Sequence, residues 1–284
     1  MSKSVPFKEE SPTNATQSPP INATLLNRCL TLLAVKLIKR TRKRNGSVLF
    51  LSRTLCVKIR SATNLSEAST LQFVAKHTSL PVPRVYCAFV SHGRAYIVMQ
   101  RIQGEYVGDG WRKRSEESKA RLLHQLGTMV QEMRRIPCPE GTGVARVDGG
   151  PVYDPRMPGA VTRVGPFRTI QAFHSYLRRG VDAHPNHIAE IGRLIAQHDT
   201  LQTALVFTHG DLSSLNILAS GDDIVGIVDW ETAGWYPAYW EYTTAWHVNP
   251  QNEFWRDEVD KFLQPMPEEL AMEKIRRKYF GDIA

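Results

Sequence analysis

Val206-Phe-Thr-His-Gly-Asp-Leu-Ser-Ser-Leu-Asn-Ile-Leu218, followed closely by Ile224-Val-Gly-Ile-Val-Asp-Trp-Glu231, places His209, Asp211, Asn216 and Asp229 in one local unit. The spacing is H-x-D-x-x-x-x-N, and then an Asp that ends an apolar strand. Residues 215–219 and 224–228 are short and largely apolar. They are joined by Ser220-Gly-Asp-Asp223, a turn in which the glycine is free to take positive φ. A hairpin of this kind brings Asn216 and Asp229 to the same end of its two strands.

That arrangement suits phosphoryl transfer from ATP. In the kinase template an Asp accepts the proton of the attacking hydroxyl, an Asn further along the same loop holds Mg²⁺, and an Asp after the next strand holds Mg²⁺ as well. Asp211, Asn216 and Asp229 fit those roles in that order. Mg²⁺ usually takes one or two carboxylates and completes its shell with phosphate oxygens and water, so two such side chains are enough. Singly, His-Gly-Asp could be a capped turn and Asp229 an ordinary turn residue. Four positions in register with apolar flanks are much harder to obtain by chance.

Further residues carry a family resemblance: Cys56-Val-Lys58, Glu67-Ala68, Leu80-Pro-Val-Pro-Arg-Val85, Tyr96-Ile-Val-Met99, Gly104 and Ala233-Gly-Trp-Tyr-Pro237. From about residue 46 to the C-terminus the chain resembles the aminoglycoside phosphotransferase and choline kinase group of small-molecule kinases, in the form common in fungal genomes. The resemblance implies an α+β, two-lobed protein-kinase-like fold with a small β-rich N-lobe carrying one helix and a larger, mainly helical C-lobe. It implies ATP and Mg²⁺ as cofactors and a small-molecule hydroxyl as acceptor.

Other roles follow from the resemblance. Lys58 alternates with Val57 and Ile59, so it faces the other side of its strand, where a kinase lysine meets the ATP phosphates and pairs with a helix Glu. Glu67 is the first acid after it. By pattern alone Asn64-Leu-Ser-Glu67 reads equally well as an N-cap with Glu at N3, and the resemblance favours the ion pair. The backbone amides of residues 100–102, Gln100 to Ile102, are expected to meet the adenine edge at a hinge. Glu241 stands where the family places an acid that braces the catalytic loop, and His209 is expected to brace that loop too.

Several positions depart from protein kinases. Gly210 and Ser213 stand where those enzymes carry Arg and commonly Lys, Asp229-Trp-Glu231 replaces Asp-Phe-Gly, and no Ala-Pro-Glu follows. These departures favour a small acceptor. No G-x-G-x-x-G precedes Lys58, only Asn45-Gly46, so the phosphate cover rests on one tight turn. That loss keeps open the alternative of a catalytically silent, nucleotide- or protein-binding kinase fold. Asp154, Asp182, Glu253 and Asp257 are the acids that could serve a cationic acceptor, and nothing in their spacing chooses among them.

The chain's 284 residues are enough for two lobes. Residues 1–20, rich in Ser, Thr and Pro, are expected to be a disordered tail. The N-terminal lobe, led by a basic helix, spans 21–101 and the C-terminal lobe with the catalytic loop 102–284. Strands are expected at 47–51, 54–59, 84–90 and 95–101, with helices at 64–77 and 115–135. The segment from Cys138 to Phe167, rich in Gly and Pro, is expected to be either functional or mobile and to border the acceptor pocket. Five of the six tryptophans follow the catalytic loop, where core building is the first expectation and an acceptor-stacking wall the second.

Four scattered cysteines with no C-x-x-C and no secretory leader point to a reducing, cytoplasmic setting. The net charge of +8 is local: Lys36, Lys39, Arg40, Arg42, Lys43 and Arg44 supply six charges without an acid among them. This argues against a nucleic-acid-binding role for the chain as a whole. The preceding apolar stretch, residues 25–38, is too short and too interrupted by charge to span a bilayer. It is expected to pack on its own domain, a membrane-surface helix being the alternative. Oligomeric state cannot be read from the sequence.

Overall fold

The computed structural model describes residues 18–39, 44–61, 64–159, 163–247 and 250–281. Helix α1 (Leu25–Ile38) comes first, capped by Thr24, whose hydroxyl accepts from the Asn27 amide. A five-stranded antiparallel sheet follows, built from β1 (Arg44–Asn45), β2 (Val48–Phe50) and β3 (Leu55–Arg60), then, after helix α2 (Ser66–His77), from β4 (Val85–Ser91) and β5 (Arg94–Gln100). Its strand order is β1-β2-β3-β5-β4. Two tight turns set the register. Gly46 at φ 54° closes β1 on β2, while His92 and Gly93, both at positive φ, close β4 on β5.

Strand alternation gives this sheet two faces. Val57, with Leu49, Phe89, Tyr96 and Val98, forms a cluster on the side of α1, whereas Cys56, Ile97 and Met99 join the main core on the side of α2. Lys58 therefore leaves the α1 side and enters the space between the lobes, as its strand position requires.

The C-lobe begins with β6 (Glu105–Tyr106) and α3 (Glu116–Arg134). The Ser115 cap and the buried stripe of Leu122, Leu123, Leu126, Val130 and Met133 agree with the helical spacing. Then come α4 (Ile170–Leu177), α5 (Ala189–Thr200), β7 (Leu205–Thr208), β8 (Ile217–Ser220), β9 (Asp223–Ile227), β10 (Gly234–Pro237), α6 (Trp240–Trp246), α7 (Arg256–Phe262) and α8 (Pro267–Phe280). Strands β6, β8 and β9 make a small sheet, and β7 pairs with β10. One hydrophobic core runs through both lobes, joining Leu71 and Met99 to Phe207, Ile217 and Trp230. The architecture is the two-lobed α+β one expected.

Two expectations need correction. Of the tail expected over 1–20, residues 1–17 lie outside the described residues, but Ser18 is buried and donates to Asp148 at 2.5 Å. Helix α1 packs on its domain only in part. Its inner side is held by Thr31, Leu32 and Val35 and by Arg28, which donates to the Val90 carbonyl at 3.0 Å, while five leucines remain exposed.

Of the tryptophans, Trp230, Trp235, Trp240 and Trp255 are fully buried. The indole N–H groups of Trp230, Trp240 and Trp255 donate to the Ile227 carbonyl, Asp154 and the Leu212 carbonyl, so the core reading holds for those four. Trp246 is half-buried and already covered by Lys274 and Arg256.

Candidate active site

The hairpin of β8 and β9 pairs Ser220 with Asp223 around Gly221, which takes φ 61°, and Ile217 with Ile227. Beyond that last pair the Val228 amide donates to the Asn216 carbonyl at 2.9 Å, so Asn216 and Asp229 emerge side by side. The hairpin is tied to the N-lobe through the Ile227 amide, which donates to the Pro81 carbonyl. Asp229 sits in left-handed backbone at φ 65°, ψ 58°, a conformation that Asp tolerates better than most residues and that clusters at functional sites.

Asp211 lies 2.7 Å from the Asn216 side-chain nitrogen, which also donates to the Asp211 carbonyl at 2.9 Å. The Asp211 side chain is 41% exposed, open to an incoming group. Below it, the carboxylate of Glu241 accepts from the His209 amide at 2.6 Å and the Gly210 amide at 3.0 Å. Burial pushes this carboxyl up to about 7 despite Arg134 and these two donors. The His209 ring bridges the Asp211 amide (3.1 Å) and the Val228 carbonyl (3.1 Å). One ring nitrogen must accept and the other donate, which assigns the neutral ring, and burial holds its pKa below the ordinary value. The ring ties the loop down and is not placed to exchange protons.

Gly210 shows why the loop departs from the protein-kinase pattern. Its φ is 81°, and a β-carbon there would lie 3.1 Å from the Thr232 carbonyl. An arginine at this position would meet backbone. Gly210→Ala is expected to destabilise the protein by about 1–2 kcal/mol from the backbone conformation alone. Thermal melts check this, and a melt equal to that of the wild type would refute it.

From the N-lobe, the Lys58 ammonium reaches the acid expected of it, Glu67, at 2.7 Å, and also Asp229 at 2.7 Å, a contact the sequence did not suggest. Burial acts to lower its pKa, but the two carboxylates outweigh burial and hold it above the ordinary lysine value. Asp229 is shifted down: burial opposes this, but the charge of Lys58 and its hydrogen bond prevail. Asn64 does not form the capping box with Glu67. Its side chain accepts from the Ser66 amide at 2.6 Å, which leaves Glu67 to turn inward to Lys58.

Lys58, Glu67, Asn216 and Asp229 line a cleft of about 650 Å³ between the lobes, roofed by Gly46, Ser47 and Val48 and walled by Met99 and Leu218. The single turn stands where a glycine-rich loop would. At the hinge the expectation narrows. The Gln100 amide donates to the Arg84 carbonyl and the Arg101 amide to the Thr54 carbonyl, because the sheet edges continue past β5. Of the three hinge amides, only that of Ile102 has no partner among the described residues.

The donor set suits Mg²⁺. Asn216 commits its nitrogen to Asp211, which leaves its oxygen without a donor among the described residues, and Lys58 engages one Asp229 oxygen. Both side chains line the cleft and offer hard oxygens. Glu67, Asp229 and Glu231 also lie close together, but Glu67 is engaged by Lys58 and Glu231 by Arg60 at 2.5 Å.

Near this site Arg156 carried no signal that sequence spacing could reveal, and Glu231 stood out only as a departure from the kinase motif. Arg156 is held by Asp154 at 2.7 and 3.0 Å, donates to the Gly210 carbonyl and comes within 3.7 Å of Asp211. Glu231 lines a small cavity behind Lys58. Arg156 lies in the irregular 138–167 segment, and only the folded chain brings it to the catalytic loop.

A solved structure of aminoglycoside phosphotransferase APH(4)-Ia is similar to this chain with a TM-score of 0.60 at 15% identity, over 87% of this chain and 88% of that one. A thermostable mutant of the same enzyme, in ternary complex with ADP and hygromycin B, gives 0.58 at 15% identity over 86% and 88%. ADP-bound APH(2'')-Ib gives 0.54 at 14% over 84% of each chain. Identities this low establish the shared fold. No curated protein sequence matches. Residues 49–272, which include both the Lys58 strand and the hairpin of Asn216 and Asp229, match the family of phosphotransferase enzymes. The chain therefore belongs to the phosphotransferase enzyme family.

Proposed function

We propose that the protein transfers the γ-phosphate of ATP to a hydroxyl group of a small molecule. The observation that carries this reading is Lys58, whose ammonium joins the α2 acid Glu67 to Asp229 across the lobes, inside the cleft that Asn216 also lines. Neighbours of the same fold hold ADP or a nucleotide with an aminoglycoside, which supports a nucleotide in this cleft. The four free thiols suit a reducing compartment such as the cytoplasm.

Nucleotide phosphates would draw Lys58 from Asp229, and the Ile102 amide is free to meet the base. Mg²⁺, held by Asn216 and Asp229, would neutralise charge on the transferring phosphate. Asp211, fixed by Asn216, orients the acceptor hydroxyl and takes its proton as the new O–P bond forms and the bond from the γ-phosphorus to the β-phosphate oxygen breaks. The products are ADP and the phosphate ester. Positioning and electrostatics supply most of the catalysis.

Three of the four acids that could hold a polycation are engaged by arginines. Asp154 is buried and locked by Arg156, Asp182 pairs with Arg178 and Glu253 with Arg256. Arg156 instead sets a positive charge beside the base. The acceptor is therefore a neutral or anionic alcohol. An ATP-consumption screen of sugars, polyols, hydroxy acids and aminoglycosides, with Asp211→Asn as blank, should find turnover among the first three classes. Fastest turnover with an aminoglycoside would refute this acceptor class.

The silent-fold alternative draws on the single Gly46 turn, and calorimetric titration showing no Mg-ATP binding to the wild type would decide in its favour.

A further inference from the structure

Of the seven large apolar side chains that stand exposed among the described residues, five lie on α1: Leu25, Leu26, Leu30, Leu33 and Leu37, each at least 53% exposed. Positions 26, 30, 33 and 37 recur at helical spacing and form one stripe. The opposite side of the helix, which meets the sheet through Arg28, Thr31, Leu32 and Val35, is the more polar of the two. A surface helix ordinarily does the reverse. The stripe continues to Tyr86, which borders the same groove as Leu30 and is pushed out by the irregular β4 pairing between Val85 and Cys87.

Charge decides what covers it. From Ser11 to Ser66 the sequence contains no acid and ten Lys and Arg, six of them between Lys36 and Arg44. Lys36 and Lys39 are exposed at the C-terminal end of α1, and Arg84 stands over the Tyr86 ring. A second copy would set these cations against their own kind. An anionic bilayer surface takes both the leucines and the cations. At 14 residues α1 is about 21 Å long, enough to lie in the interface and too short to cross it.

We infer that α1 docks the protein on an anionic membrane surface, with the leucine stripe in the headgroup boundary and Lys36 and Lys39 over acidic lipids. The cleft opens on the other face of the sheet and stays free for nucleotide.

Vesicle co-sedimentation of the full chain tests this. Vesicles with about one third phosphatidylserine should bind at least tenfold more protein than phosphatidylcholine alone, and binding should fall with added salt. A variant with Leu26, Leu30, Leu33 and Leu37 all changed to Ser should lose binding while keeping its melting temperature. Lys36→Gln with Lys39→Gln should weaken it about fivefold per charge. Equal sedimentation with both vesicle types, or retention by the leucine variant, would overturn the proposal. So would light scattering that shows a dimer which the leucine variant dissolves, since a second copy would then be the occupant. Binding that appears only once residues 2–17 are deleted would assign the face to that segment instead.

Discussion

Asp211→Asn is expected to lower kcat by about 10²–10⁴-fold while Mg-ATP affinity stays within a few-fold of the wild type. The substitution keeps the shape of the side chain and removes its capacity to accept a proton. The amide oxygen can still meet the Asn216 nitrogen, which is 2.7 Å away, so the loop has no reason to move. The position is 41% exposed, and Arg156 keeps Asp154 as its partner when the charge of Asp211 is removed. Single-turnover rates measured beside calorimetric ATP titration separate the two effects. Full retained activity would remove Asp211 from the mechanism, and loss of ATP binding together with turnover would make it structural.

Lys58→Met should damage stability and nucleotide binding together. Removing the ammonium strands Glu67, which is 5% exposed, next to Asp229 with no counter-charge in contact. Breaking a buried ion pair from one side costs about 3–5 kcal/mol, most of it from the carboxylate left behind. Adding Glu67→Leu removes that carboxylate and should recover most of the lost stability without restoring activity, because phosphate contact still requires a cation. Denaturant melts and ATP titration on the two variants read this out. A double variant as unstable as Lys58→Met would locate the loss in packing rather than in the orphaned charge.

The parts of this protein that were legible in advance are those set by short stretches of chain. Gly221 closes a hairpin whose register follows from strand alternation, so the meeting of Asn216 and Asp229 could be derived from residues 215–229. The same alternation sets Lys58 against Val57, and the helical stripe of α3 gives both its span and its buried face. Glu67 was ambiguous because an N-cap and an ion pair use the same residues at the same spacing. Packing of α2 against the sheet settled it by turning the carboxylate towards Lys58. The hinge was half legible: β5 and its end could be read, but not that neighbouring strands would claim the Gln100 and Arg101 amides.

Sequence alone thus determined the local acid constellation, because turn chemistry and side-chain periodicity act over a few residues, and through the family resemblance it implied the two-lobed fold. Tertiary structure decided which groups meet across long separations. Arg156 reaches Asp211, Glu241 seats the His209 and Gly210 amides, and Lys58 spans the lobes to Asp229, contacts that no periodicity encodes. It decided the orientation of α1 as well. The run from Leu25 to Ile38 shows an amphipathic helix, but which side the sheet takes depends on where Arg28 finds the Val90 carbonyl and Thr31 finds a buried place. That contact turned the leucines outward.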